Sequence, residues 1–449
     1  MVQLSEYDKR LLSGAEGKAK RLAMQMMVKA AEAMGAERLV DVSMAHVNSC
    51  FYSGKVGLDF AEFLLADGVK VAVPTKTNVG LVDLLHPELR PEKASTEEVQ
   101  GARRLMKIYE QLGCEVVWTC APYQHKVRPK LGDQIVGSES NAVAFYNSVI
   151  GARTNKYGDF LDICAAITGR VPYAGLHRDE CRKGEILFSL AGVPRKLLEQ
   201  DIFYHVLGIV LGREAGSSVP VIEGLPAATS EDQLKAISAA GAASGAVALF
   251  HAVGITPEAT SLSDAFHGQQ PDRVVEVTPQ MLIQARDALT TTAAGSVSAV
   301  CLGTPHFSFT EFERLTPLLS GRRVHADLGL YVSTSRYVLA QVREQGWLAQ
   351  LEQAGVKIVV DTCTYFTPVV NGIKGRVMTN SGKWAYYAPG ILDVDVVFGS
   401  LEECVESAVS GEVWRDERLW SGDFWGRRHV NESQCAESRL CQWGAVGAG

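Results

Sequence analysis

Gln353-Ala354-Gly355-Val356-Lys357-Ile358-Val359-Val360-Asp361-Thr362-Cys363 is the stretch on which the reading of this chain turns. It holds a helix end, a glycine stop, an apolar strand and a cysteine just past the strand. Gln111-Leu112-Gly113-Cys114-Glu115-Val116-Val117-Trp118-Thr119-Cys120 repeats that order of parts and closes on the same Thr-Cys pair. In open α/β sheets ligands bind beyond the carboxyl ends of the strands, where side chains face a crevice instead of a packed layer. Two thiols delivered there are candidate ligands for a metal or a cluster. A free cysteine is more often a core residue; the repetition sets these two apart.

Outward from the first stretch, the pattern alternates helix and strand: helix 278–289, strand 298–302, helix 309–319, strand 323–328, helix 334–354 and strand 356–360, then strand 376–378, strand 394–398 and helix 401–409. Short connections between such elements favour a parallel sheet with right-handed crossovers. Its strand ends carry Cys301 and His306, then Asp361-Thr362-Cys363, then Thr379-Asn380-Ser381-Gly382-Lys383. Backbone amides at the helix start after Ser381, with Lys383, suit a carboxylate or phosphate. Towards the N-terminus, strands 38–42, 69–73 and 115–118 are expected to deliver Ser43 and His46, then Lys76, Thr77 and Asn78, then Cys120 to one edge of another parallel sheet. Ser43 and His46 serve equally well as caps of a buried loop, and Arg153 as a surface arginine. A middle layer follows, with strands near 185–190, 219–222 and 246–253, and the Pro-, Ser- and Gly-rich 257–273 reads as a linker. The expected divisions are an N-terminal α/β domain over 1–135, a middle α/β domain over 136–272, a doubly wound α/β domain over 273–411 and a Trp-rich extension over 412–449.

Composition narrows the function. The 449 residues are 47% hydrophobic and 21% charged, the balance of a globular chain of two or three domains. A net charge of -7 without a basic stripe argues against nucleic acid as a partner. The charged start, Met1 to Arg10, lacks the apolar core of an export signal, so a cytoplasmic location is expected, with no membrane span. Ten cysteines without a Cys-x-x-Cys fit neither a disulfide framework nor a zinc ribbon. Hydrolase, zincin and dinucleotide-binding signatures are missing as well. Separate thiols with Ser, His, Lys and Arg around them suit an iron–sulfur cluster used as a Lewis acid, which needs only three protein ligands if one iron is to stay open. Cys120, Cys301 and Cys363 are the expected set, with [2Fe-2S], [3Fe-4S] and [4Fe-4S] forms all compatible.

Several strings in combination give the chain a family likeness. Ser43-Met44-Ala45-His46-Val47, Thr119-Cys120-Ala121-Pro122-Tyr123, Ser138-Glu139-Ser140-Asn141-Ala142, Gly151-Ala152-Arg153-Thr154-Asn155, Gly303-Thr304-Pro305-His306, Asp361-Thr362-Cys363 and Asn380-Ser381-Gly382-Lys383 together resemble the catalytic part of aconitase X, over roughly residues 4–409. That resemblance implies an aconitase-like fold of two to three doubly wound parallel-sheet domains around a central cleft. It also implies an iron–sulfur dehydratase acting on a small hydroxy acid: cis-3-hydroxy-L-proline by preference, mevalonate 5-phosphate as the alternative. The small swivelling domain that closes such sites has no counterpart here, so a separate small-subunit partner, making a heterodimer, is expected. Ser43, His46, His306 and Ser381 become the candidate acid–base groups. Lys76, Thr77, Asn78, Ser140, Asn141, Arg153, Asn155 and Lys383 become the candidate substrate contacts. The competing reading is a non-catalytic scaffold subunit whose thiols are core residues.

Overall fold

The computed structural model describes residues 2–90, 96–366 and 373–420. Residues 1–415 form one compact unit, and 416–449 a second. Of the latter, Glu417–Trp420 is a short 3-10 helix, and most of the expected Trp-rich extension lies outside the described residues.

The C-terminal sheet follows the sequence pattern most closely. Its strands are β9 (Ala299–Phe307), β10 (Gly329–Thr334), β11 (Val356–Val359), β12 (Arg376–Thr379) and β13 (Asp395–Phe398), all parallel, in the order β11-β10-β9-β12-β13. β9 is central: the chain adds two strands on one side, then two on the other. That reversal makes the crevice between the carboxyl ends of β9 and β12 a ligand site by topology alone. Val300, Leu302, Leu330, Val332, Ile358 and Met378 pack on the helices in one core cluster, each worth roughly 1.5–3 kcal/mol of burial.

Two expected elements differ. The helix over 334–354 is two, Arg336–Glu344 and Trp347–Ala354, because Gly346 breaks the run in a left-handed conformation. The strand expected at 323–328 forms later, as β10. At the opening stretch, Gly355 ends its helix at φ +99°, and Asp361 takes φ +64° two residues past the strand end at Val359, turning the chain towards Cys363.

The middle layer repeats the plan. Before β9 come β5 (Ile186–Ser189), β6 (Pro220–Glu223), β7 (His251–Ala252) and β8 (Arg273–Glu276), parallel and ordered β7-β6-β5-β8. The supposed linker 257–273 thus leads into a strand of this sheet, paired with β5 from Ile186↔Arg273 to Ser189↔Glu276.

The N-terminal region departs most from expectation. β1 (Leu39–Asp41) pairs antiparallel with β4 (Arg170–Pro172), across the division expected at 135/136, while β2 (Ala45–Val47) pairs in parallel with β3 (Thr75–Thr77). No three-stranded parallel sheet forms from 38–42, 69–73 and 115–118; the polar segments expected to be loops after two of them are the strands. Thr75, Lys76 and Thr77 are all buried, and their polar groups find partners: Thr77 Oγ1 accepts from Val117 N and Trp118 N, both at 3.1 Å. Polarity alone therefore misplaced them, because a satisfied polar side chain can occupy a buried strand.

Candidate active site

Cys120 and Cys363 come together from opposite ends of the compact unit. Their sulfurs lie 3.9 Å apart, both side chains are buried, and His306 joins them in a group whose donor atoms all fall within 4.8 Å of one another. Such a group could hold a metal ion. Cys363 follows β11 and His306 stands at the end of β9. Cys120 arrives on an extended segment that Lys76 meets in a single bridge at Glu115 and that turns at Trp118, φ +42°. The N-terminal and C-terminal regions are tied together beside the thiols. Gly80 N donates to Asp361 O at 2.7 Å, Val360 N to Asp83 Oδ2 at 2.9 Å, and Arg336 holds the Asp361 carboxylate at 2.7 and 2.5 Å.

Cys120 faces a cleft of about 250 Å³ whose lining also includes Asn48, Asn78, Glu139, Tyr365 and Lys383. Lys383 and Glu139 form a buried ion pair across 244 positions of sequence. Glu139 also caps the helix Ser140–Phe145 through Ala142 N (2.7 Å) and accepts from Asn141 Nδ2 (3.1 Å). Burial alone would raise its carboxyl; Lys383 and the Ala142 N–H outweigh that and hold it below the ordinary value. The Lys383 ammonium is raised despite burial, because Glu139 faces it. At Cys120 burial opposes ionisation, yet the hydrogen bond with Cys363, the Lys383 charge and the His306 N–H lower the thiol. Cys363 is raised by that same bond and by burial. The two thiols titrate as a pair, so the shared hydrogen bond eases loss of the first proton and opposes loss of the second.

The expected site residues separate into distinct groups. Asn78, Ser140 and Lys383 line the cleft with Cys120. Asn141 braces it from behind, donating to Cys120 O at 2.7 Å. His46 donates through Nε2 to Thr119 O at 3.0 Å and leaves Nδ1 unpartnered and buried. Cys301 is buried mid-strand in β9 and stands outside the thiol group, because β9 runs on for six residues before it ends. Ser43 is an exposed turn residue bonded to Gln134 O (3.3 Å), away from the cleft lining. Ser381 is committed to Thr304 O and to capping Trp384 N.

Lys76 turns to Val127 O at 2.6 Å, its ammonium lowered by burial, and Thr77 props Val117 and Trp118. Arg153 pairs with Asp179, and Asn155 bonds Ala174 O and Leu176 N, both at 2.9 Å. The helix start after Ser381 is not an open anion site either, since Gly382 N donates to His205 Nδ1 at 3.3 Å. Sequence reasoning passed over Glu139, Lys156 and the aromatic wall of Phe51, Tyr365, Phe366 and Tyr387. Only Glu139, inside a string already quoted, carried a signal.

Fold and site together define an α/β enzyme with a buried dithiol, able to hold a metal, at the switch point of a doubly wound sheet. Residues 1–180, 184–287 and 297–410 match the models of the aconitase X first, second and third domains. The chain belongs to the aconitase X family, and it is a hydro-lyase of that class. It is 41% identical to a cis-3-hydroxy-L-proline dehydratase of Pseudomonas aeruginosa over 91% of this chain and 70% of the relative. A protein of the same name from Hypocrea jecorina is 38% identical over 91% and 69%. The phosphomevalonate dehydratase large subunit of Methanocaldococcus jannaschii is 32% identical over 90% of this chain and 100% of that subunit. The crystal structure of Thermococcus kodakaraensis aconitase X in its holo-form superposes with a TM-score of 0.80 at 29% identity, over 91% of this chain and 100% of that one. Among the described residues, no helix is long and apolar enough to cross a membrane.

Proposed function

We propose that this chain is the catalytic large part of an iron–sulfur cis-3-hydroxy-L-proline dehydratase that works with a separate small subunit. The observation that carries the reading is the buried Cys120–Cys363 pair, whose Cys120 lines a cleft that also holds a lysine, a carboxylate and aromatic rings. Two relatives at 41% and 38% identity carry that name, whereas those named phosphomevalonate dehydratase large subunit reach 31% to 34%.

The donor set supplies two of the three protein ligands that such a cluster needs. Two soft sulfurs, one receiving a backbone N–H at 3.3 Å, are the ligands iron–sulfur centres use. The buried Asn78 Oδ1, on the cleft side, has no partner of its own. Cys120 and Cys363 would hold the group, which when bound supplies a Lewis-acidic iron for the departing hydroxyl. The remaining work falls to this chain's side chains. Lys383, with Lys156 at the exposed mouth, binds the substrate carboxylate. Glu139 faces the ring ammonium, while Tyr365, Phe366 and Tyr387 pack the pyrrolidine ring and exclude water. Relatives named large subunit match over 95% to 100% of their length, which supports a small partner completing the cleft.

Anaerobically reconstituted protein with its small partner is expected to turn over cis-3-hydroxy-L-proline. Turnover of mevalonate 5-phosphate in its place would overturn the substrate assignment.

A further inference from the structure

We propose that His306 is a positioning residue that clamps the two Thr-Cys segments to each other and so sets the spacing of the thiols, without ligating metal or donating a proton itself. The inference rests on the reading that Cys120 and Cys363 hold the cluster.

The geometry assigns both ring nitrogens. His306 Nε2 lies 3.0 Å from Thr362 O, a carbonyl that only accepts, so Nε2 carries the hydrogen and donates. Nδ1 then accepts from Thr119 Oγ1, also at 3.0 Å. A neutral imidazole has one donor and one acceptor, and here both are spent. Their partners are the residues immediately before the two cysteines. A third bond comes from the His306 backbone, whose N–H donates to Cys120 Sγ at 3.3 Å.

Each end of the clamp is itself fixed. Thr119 Oγ1 accepts from Ala121 N at 3.1 Å, and Thr119 O accepts from His46 Nε2 at 3.0 Å. On the other side, Gln124 Nε2 donates to His306 O at 2.9 Å, and β9 is held to β10 at Phe307↔Thr334. His306 therefore sits on a strand end that cannot drift relative to either thiol. For its ring to ligate metal, Nδ1 or Nε2 would have to abandon Thr119 or Thr362, leaving a buried polar group unpaired. In each half the residue before the cysteine is the handle by which the cysteine is held, Thr119 through its hydroxyl and Thr362 through its backbone carbonyl.

Wild type, His306→Ala, His306→Gln, Thr119→Val and the Thr119→Val/His306→Ala double variant provide the test, in two readouts. With cluster loaded, iron loss to a chelator is expected to be about 10- to 100-fold faster in His306→Ala, the usual scale for removing a group that orients a ligand. Thr119→Val is expected to move in the same direction, the double variant to be no faster than His306→Ala, and His306→Gln, whose amide keeps a donor and an acceptor, to lie nearer wild type. Pulsed EPR of wild type carrying ¹⁵N-histidine is expected to show no directly bonded nitrogen. In apo-protein, a trivalent arsenical bridging the two thiols is expected to bind wild type more tightly than His306→Ala or Thr119→Val.

A bonded histidine nitrogen, or wild-type iron loss and arsenical binding in both His306→Ala and Thr119→Val, would overturn the clamp. If wild type holds no more iron than Cys120→Ser, the cluster reading fails instead, and the arsenical series still decides the clamp.

Discussion

Removing one member of the Glu139–Lys383 pair is predicted to cost several kcal/mol, with opposite pH dependence for the two members. Both side chains are at least nine-tenths buried, and each is the other's ion-pair partner. In Glu139→Gln, the ammonium must stay charged without its counter-ion or give up its proton. Deprotonation at pH 7, from an ordinary lysine value of about 10.4, costs about 4.6 kcal/mol and sets the ceiling. In Lys383→Met, the carboxylate escapes by taking a proton; from an ordinary value of about 4.3 that costs about 3.7 kcal/mol at pH 7 but only about 1 kcal/mol at pH 5. Broken buried pairs generally cost about 3–5 kcal/mol, in line with both ceilings.

The penalty for Lys383→Met should therefore shrink on acidification, while that for Glu139→Gln should not. In wild type the Glu139 carboxyl is lowered, so its contribution is present above the unfolded value and lost as pH falls through the folded one. Urea denaturation at pH 7 and pH 5, followed by tryptophan fluorescence, measures this for the two single variants and the double. Penalties below about 1 kcal/mol, equal pH slopes, or strict additivity in the double would refute the assignment of a buried, mutually dependent pair.

Other consequences are as direct. His177 is buried between Tyr157 OH (2.6 Å) and Gln134, and burial lowers it to about 3, so the unfolded chain takes up its proton first. Stability should fall from about pH 6.5 towards pH 3, and His177→Gln should flatten that slope in pH-dependent unfolding. Gly355→Ala, at φ +99° and with Val324 Cβ 3.3 Å from the added carbon, should lower unfolding free energy by roughly 1 kcal/mol or more by denaturation; no change would remove the need for glycine at that helix stop. Leu330→Ala in the C-terminal core should cost about 2–5 kcal/mol by the same assay.

The C-terminal sheet was legible because its strands are apolar on both faces and its helices carry ordinary stop signals, so periodicity and packing agree. The N-terminal region was not. There the buried strands Ala45–Val47 and Thr75–Thr77 are short and carry polar side chains, with their pairing and the Thr77 hydroxyl's partners thirty or more positions away, and no local pattern announces such partners. The thiol pair was visible as the Thr-Cys echo; its meaning was not, since the link between the two halves runs through His306, which lies on neither. Cys301 lies in the sheet that leads into Cys363, which is what suggests it as a ligand, but the length of β9 beyond it places it apart from the thiol pair. Ser43, Lys76 and Arg153 have the chemistry of a site, but each is engaged elsewhere.

The most direct measurement is iron and acid-labile sulfide in anaerobically reconstituted wild type, Cys120→Ser, Cys363→Ser and Cys301→Ser, with the visible absorbance of each. The account predicts a cluster band and iron in wild type, loss of both in Cys120→Ser and Cys363→Ser, and retention in Cys301→Ser, whose thiol stands outside the pair. Iron and band unchanged in Cys120→Ser and Cys363→Ser would contradict it and leave the two thiols as core residues.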